Sequence, residues 1–181
     1  GIQQLQQVSQ QFSAQRSQAL AEDEQRRTLR ERRKELFQHA CRSFEHLRAA
    51  VQNTIVDNTS FAKTEERYEQ TNLGDKIAIS SVTLAAARLE FVGPRIIEPE
   101  RWSGPFEVIA CASIQILQTS TYNDYPGRSH SLWYCDALHE GQFEWFELAF
   151  MDLRNHQRMV PYAAQPEEIS IAFERVISGT Q

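Results

Sequence analysis

Glycine and proline are both missing from residues 2–73 of this sequence. Because these two residues interrupt helices and strands more strongly than any others, their absence favours long regular structure. Good helix formers, chiefly Gln, Ala, Leu, Arg and Glu, dominate this stretch as far as about Val51. The sequence therefore predicts a long helix over residues 1–52, roughly 70 Å in length if it is unbroken. A helix of that length exceeds the diameter of a small domain, so we expect part of it to project or to pair with another chain.

Cysteine is also scarce, with only Cys41, Cys111 and Cys135. An odd number at wide spacing is a poor framework for disulfides and indicates a reducing compartment, so the predicted location is cytoplasmic. There is no Cys-x-x-Cys pair, and the five histidines show no metal-binding spacing. The seven glycines are scattered singly, without a phosphate-binding loop. The sequence thus predicts neither a metal site nor a cofactor.

Long apolar runs are absent as well. None approaches the ~20 residues that span a bilayer, and the N-terminus has no signal-peptide core. The formal net charge of -5 argues against a general nucleic-acid binder, although residues 1–55 carry +3 and the remainder carries −8. Gly1 stands where a start methionine is usual, so we expect the chain to be a piece of a larger protein.

The two halves of the predicted helix differ in their apolar pattern. The first half has coiled-coil character, because Leu5, Val8 and Phe12 follow spacings of three and four, but the pattern lapses between Arg16 and Arg27. The second half carries a wider stripe that favours packing on a sheet: Leu36, Phe37, Ala40, Cys41, Phe44, Leu47 and Val51.

A basic run, residues 26–35, lies between the two halves. Glu31 and Glu35 sit within it at helical spacing from basic side chains, which is typical of a solvated face with internal ion pairs. The alternative interpretation is a surface for an acidic partner. The predicted partner-binding residues of the helix are Leu5, Val8, Phe12, Arg30 and Arg33.

The rest of the chain predicts a polar linker and then a sheet domain. Residues 53–75 are polar and contain a turn sequence near Gly74. Residues 76–181 alternate between apolar and polar over one long strand (residues 77–91), a second strand (residues 106–116) and an aromatic hairpin (residues 131–138 with 142–151). A final helix is predicted from Glu167 to Ile177. The predicted class is therefore α+β: a long N-terminal helix, an antiparallel sheet of about four strands and a C-terminal helix.

Polar residues with chemical potential cluster where a loop enters this hairpin. Arg128 is placed to clamp an anion and His130 to move protons, with Trp133 and Trp145 completing a ligand site between sheet and helix. The competing interpretation is an ordinary Pro-Gly turn with a surface histidine. Cys135 lies within a strand, where cysteine usually acts as a small buried hydrophobe rather than as a nucleophile.

Three functions remain open from the sequence. The leading prediction is a non-enzymatic interaction or regulatory domain that oligomerises or docks through its N-terminal helix. The alternative is a domain that senses a small molecule in a pocket between sheet and helix. The third is an enzyme that depends on Cys135 or His130.

Overall fold

The computed structural model describes residues 1–102, 104, 106–119, 124–150, 157–162 and 166–179, without the side chains of residues 119, 124–128, 148–150 and 157–161. Helix α1 (Ile2–Asn58) precedes the sheet, and helix α2 (Pro166–Ser178) follows it. The strands are β1 (Lys63–Gln70), β2 (Lys76–Leu84), β3 (Ala87–Ile96), β4 (Val108–Thr119), β5 (Asp124–Cys135), β6 (Glu144–Phe150) and β7 (Gln157–Pro161), and a 3-10 turn (Pro99–Arg101) lies between β3 and β4. The predicted α+β class is confirmed.

The predicted number of about four strands was wrong, since the described residues form seven. The segment predicted as a polar linker, residues 53–75, contains the end of α1 and the whole of β1. The single strand predicted over residues 77–91 is the hairpin of β2 and β3. A turn at Ala85, which adopts φ 53°, divides it. Alanine is not a residue that signals a positive φ, so the alternating pattern ran through this turn unbroken.

Every strand pairs antiparallel with the next one along the chain, giving the sheet order β1 to β7. Antiparallel neighbours need only short connections, and this sequence supplies them. Gly74 adopts φ 86° in the β1–β2 turn, as the turn sequence predicted. In the β5–β6 hairpin, the Asp136 carboxylate accepts hydrogen bonds from the backbone N–H groups of Glu140 and Gly141, both at 3.0 Å.

The main core lies between the helices and one face of the sheet. Phe44, Val51 and Ile55 bring the buried stripe of α1 onto it, and Ile169 and Phe173 do the same for α2. The sheet contributes Val82, Ala87, Leu89, Phe91, Ala112, Ile114, Ile116 and Leu132. Full burial of each large side chain contributes about 1.5–3 kcal/mol, so these helices are held mainly by their apolar contacts.

A smaller apolar cluster lies on the opposite face of the sheet. Val108, Cys135 and Phe146 are its buried members, and Trp102 and Trp133 are among the half-buried side chains packed against them. The indole N–H of Trp102 donates to the carbonyl of Phe106 at 2.8 Å, which fixes the loop after β3 over this cluster.

The chain divides into two units, residues 1–36 and residues 37–181. Both cores lie in the second unit. Among the described residues, no helix combines the length and the apolar character that a bilayer span requires.

Candidate functional site

The first unit is a helical segment whose side chains face solvent. Residues 1–32 are all exposed, and large apolar side chains are among them. Leu5 is 71% exposed, Phe12 66% and Leu29 51%. Val8, the other apolar residue predicted to bind a partner, is also exposed. Single exposed leucines are ordinary on a protein surface, but a helix that buries none of several is not stabilised by packing.

Intrahelical ion pairs occupy part of the charge of this unit. Arg26 lies 4.0 Å from Glu22 and 3.7 Å from Asp23, and Arg27 lies 3.9 Å from Glu24. All of these side chains are more than half exposed, so each pair contributes at most a few tenths of a kcal/mol. Of the other predicted partner-binding residues, Arg30 is exposed and Arg33 is half-buried.

His130 belongs to a small polar cluster on the helix-facing side of β5. Its Nδ1 lies 2.6 Å from Oε1 of Glu147, and its ring centroid lies 5.8 Å from that of Tyr162. The hydroxyl of Tyr162 is buried and has no hydrogen-bond partner among the described residues. Burial raises the pKa of the Tyr162 phenol, and the carboxylates of Glu147 and Glu168 raise it further. This arrangement joins an imidazole, a carboxylate and a buried phenol on one face of the sheet.

Trp145 has a structural role on the same face. Its ring centroid lies 5.7 Å from that of Phe44 and 5.2 Å from that of Tyr134. Its indole N–H donates to the hydroxyl of Ser43 at 2.9 Å. Trp145 therefore holds the second half of α1 against the sheet.

Trp133 lies on the other face of the sheet, where its ring centroid is 5.6 Å from that of Trp102. Arg128 is placed opposite Ile116 by the pairing of β5 with β4, and its side chain lies outside the described part of the structure. The four predicted ligand residues are thus not gathered in one pocket between sheet and helix: His130 and Trp145 face the helices, and Trp133 faces away. A binding role for any of them stays a prediction.

Two adjoining cavities lie on the face of the sheet that carries Trp133. The first, of about 280 Å³, is lined in part by Arg95, Cys111 and Trp133. The second, of about 430 Å³, is lined by Asp75, Arg95, Ile96, Ile97, Glu98, Arg101, Trp102 and Trp133. Arg95 and Trp133 line both cavities, and the indole N–H of Trp133 is buried without an acceptor among the described residues. We call the two cavities together the groove, and its lining includes two tryptophans, two arginines and two carboxylates.

Sequence reasoning missed Arg95 because a local irregularity determines its place. The pairing of β3 with β4 shifts register between Val92 and Arg95, which brings Arg95 opposite Cys111. Gly93 permits the shift by adopting φ 94°, a conformation that L-residues with side chains rarely take. The strand predicted over residues 77–91 stops before Gly93-Pro94, whereas β3 runs through this pair to Ile96 with its pairing displaced there.

A third cavity, of about 200 Å³, lies between α1 and the first strands. Its arginines are already engaged. Arg48 donates to the side chains of Glu45 and Gln52, and Gln52 donates to Ser80 Oγ at 2.9 Å. The hydrogen bond from Arg48 lowers the pKa of the Glu45 carboxyl. On the far side of the sheet Arg67 binds Glu90 at 3.1 Å. These contacts are those of a polar helix–sheet junction.

Cys135 is fully buried in the smaller cluster. Burial raises the pKa of its thiol to about 12, so the thiol is protonated at neutral pH. It lies on the face away from the helices, whereas His130 lies on the helix-facing side. His130 and Cys135 therefore do not form the base–nucleophile pair that covalent catalysis needs.

No three histidine, cysteine, aspartate or glutamate side chains of the described residues are grouped to hold a metal ion. The sequence matches no protein-family model, no curated protein and no solved structure at a significant level.

Proposed function

We propose that this chain is a non-enzymatic interaction domain in which residues 2–36 form the surface for self-association. The observation that carries the proposal is the exposure of the large apolar side chains of this helical segment, of which Leu5, Phe12 and Leu29 are each more than half exposed. Helices that bury no apolar face are marginal in water, so a partner surface gives this segment the packing that its own unit lacks.

The energetic scale is adequate for a reversible complex. Covering Phe12 or Leu29 completely contributes about 1.5–3 kcal/mol for each side chain, and two copies double the number. Association itself costs an estimated 4–15 kcal/mol in lost freedom of motion. The balance supports a modest affinity, which fits a regulated assembly better than a permanent one.

Sedimentation equilibrium of the full chain across micromolar concentrations tests the proposal. We expect a concentration-dependent increase in mass, and we expect Phe12→Ser with Leu29→Ser to abolish it. Leu20→Ser is the matched control, because Leu20 is 63% exposed but lies off the three-and-four spacing of Leu5, Val8 and Phe12. A chain that stays monomeric throughout the range contradicts self-association.

A second candidate function is supported by the groove around Arg95 and Trp133. A guanidinium that lines two adjoining cavities, beside two tryptophans, suits a small ligand with an aromatic ring and a carboxylate or phosphate. A thermal-shift screen of such compounds tests it, since a ligand at 100 times its dissociation constant adds about 2.7 kcal/mol of stability. Any hit should be lost in Arg95→Gln and retained in Arg67→Gln; a hit retained in both variants contradicts this site.

A further inference from the structure

Alternating steps of three and four residues trace one side of the exposed helix through the first unit, although polar residues occupy most of its positions between Gln15 and Arg26. Such a pattern places side chains in a single row that a second helix can cover. We call this row the seam, and its members are Leu5, Val8, Phe12, Gln15, Ala19, Glu22, Arg26, Leu29, Arg33 and Leu36. Polar members lie between the apolar ones, and two successive members, Glu22 and Arg26, carry opposite charges.

We propose that the seam pairs with the seam of a second copy in antiparallel orientation, with the two-fold axis beside Glu24. This inference rests on the self-association proposed above and specifies its geometry. In this register Glu22 faces Arg26 of the second copy, and the symmetry repeats the pair. Gln15 then faces Arg33 of the second copy.

The apolar members of the seam match in the same register. Phe12 faces Leu36 of the second copy, and Ala19 faces Leu29. A large side chain opposes a large one at the ends of the overlap, and a small one opposes a large one nearer the axis. All of these contacts are made between the first units of the two copies. Apolar members of the seam meet apolar ones, and charged members meet polar or oppositely charged ones, whereas Leu5 and Val8 lie beyond the overlap.

Other registers bring unlike groups together. A parallel dimer in register sets Glu22 against Glu22 and Arg26 against Arg26, and like charges in close contact are destabilising. An antiparallel pair shifted by one heptad in one direction sets Val8 against Arg33 and Ala19 against Glu22, which covers charges with apolar groups. The shift in the other direction sets Glu22 against Arg33 but Arg26 against Leu29, which again covers a charge with an apolar group. Charge complementarity therefore selects the register centred beside Glu24.

Besides each other, Glu22 contacts Gln18 at 3.3 Å and Arg26 contacts Asp23 at 3.7 Å, and the contact between Glu22 and Arg26 is itself weak. Their side chains are 52% and 66% exposed, and the distance between them is long at 4.0 Å. An exposed pair at that distance contributes little, so either group can turn towards a second helix at small cost.

Charge reversal on the full chain tests the orientation. In Glu22→Arg the new guanidinium group faces Arg26 of the second copy, and this repulsion occurs twice per dimer. In Arg26→Glu two carboxylates face each other, also twice per dimer. Each single reversal should raise the dimer dissociation constant on the order of tenfold, as expected when two modest attractions become repulsions. The double variant Glu22→Arg with Arg26→Glu restores opposite charges and should return the constant to within about threefold of the original, a change well under 1 kcal/mol.

Glu24 and Arg27 provide matched controls. They form an intrahelical pair of similar length, 3.9 Å, with similarly exposed side chains, but they lie off the seam. Glu24→Arg and Arg27→Glu therefore reverse helix charge and remove one intrahelical pair, whereas Arg26→Glu removes two, and both controls should leave the dissociation constant unchanged. Circular dichroism of all variants checks that helix content is equal.

The outcomes separate the two proposals. If the wild-type chain dimerises but the single reversals at Glu22 and Arg26 behave like the controls, the antiparallel register is wrong and self-association stands. If the double reversal is as weak as the single ones, the register is wrong as well. If the wild-type chain is monomeric at all concentrations, the proposed function and this inference both fall.

Discussion

The two units of this chain use similar helical sequence in different ways. In residues 1–32 the apolar side chains are exposed, and the ion pairs join residues of the same helix and are open to solvent. In residues 37–58 the same helix, α1, buries Ala40, Phe44, Val51 and Ile55 against the sheet. The difference teaches that burial in this helix depends on the presence of a covering surface, since helix propensity is high on both sides of the boundary.

Polar groups show the same contrast. The carboxylate of Glu90 is only 6% exposed and binds two arginines, Arg67 at 3.1 Å and Arg88 at 2.9 Å. Glu22 in the first unit is 52% exposed and lies 4.0 Å from its arginine. Charged groups that lose water must be paired closely, whereas exposed ones need not be. Substitutions in the second unit should therefore change folding, and those in the first should change association.

The largest expected effect comes from an aromatic residue of the main core. Phe173 is 1% exposed, so Phe173→Ala removes its contacts and leaves a cavity between α2 and the sheet. We expect the free energy of unfolding to fall by about 3–5 kcal/mol. Urea unfolding followed by tryptophan fluorescence measures it. Phe12→Ala makes the same change at an exposed position and should leave the free energy of unfolding of the monomer unaltered. An equal loss in the two variants would mean that burial does not distinguish the two units.

The buried carboxylate should have the next largest effect. Glu90→Ala leaves Arg67 and Arg88 without their shared partner, and we expect a loss of about 2–3 kcal/mol in the free energy of unfolding. Glu69→Ala is the matched control, because Glu69 binds the same Arg67 at 2.6 Å but is 60% exposed. Its loss should be below about 1 kcal/mol. Similar losses for the two variants would show that burial does not set the strength of these pairs.

The sequence predicted the elements whose pattern is local, and it missed those that depend on a single backbone conformation. The long helix, the turn at Gly74 and the hairpin of β5 and β6 followed from spacing and turn residues. The division of β2 from β3 depends on a positive φ at Ala85, which an alternating apolar pattern does not reveal. That turn therefore accounts for one of the missing strands.

The candidate sites could be predicted only in part, for a related reason. His130 was recognisable as a titratable residue near a loop, but its partners Glu147 and Tyr162 come from later segments. The pairing register of β5 with β6 sets Glu147 near it. Arg95 reaches its groove through the register shift at Gly93. Sequence separation hides such partners, because register is set by the whole sheet.

The free energy of unfolding should depend on pH through the thiol of Cys135, which is buried in the smaller cluster. Its pKa is about 12 in the folded chain against the ordinary value of 9.0, so the folded state holds this proton more tightly than the unfolded state. Stability from this group is complete below pH 9 and is lost as the pH rises from 9 towards 12. We expect the wild-type chain to lose up to about 1.4 kcal/mol per pH unit relative to Cys135→Ala in this range. Denaturant titrations of both chains at about pH 8, 9 and 10 measure the difference, and parallel pH profiles would contradict the assignment.

The smallest effect concerns single hydroxyl groups on the two parts of α1. Ser43 accepts the indole hydrogen bond of Trp145, a residue distant in sequence, whereas the Thr28 hydroxyl donates at 3.0 Å to the carbonyl of Glu24 in its own helix. One hydrogen bond makes a net contribution of about 0.5–1.5 kcal/mol to the free energy of unfolding. We expect the loss in Ser43→Ala to be near the lower figure because the contact is exposed. Thr28→Ala should cost nothing measurable, since alanine is the better helix former. A double-mutant cycle of Ser43→Ala with Trp145→Phe isolates the contact by chemical unfolding. A coupling energy of zero would mean that this hydrogen bond contributes nothing to holding the helix, and that apolar contacts such as that of Trp145 with Phe44 hold it without the bond.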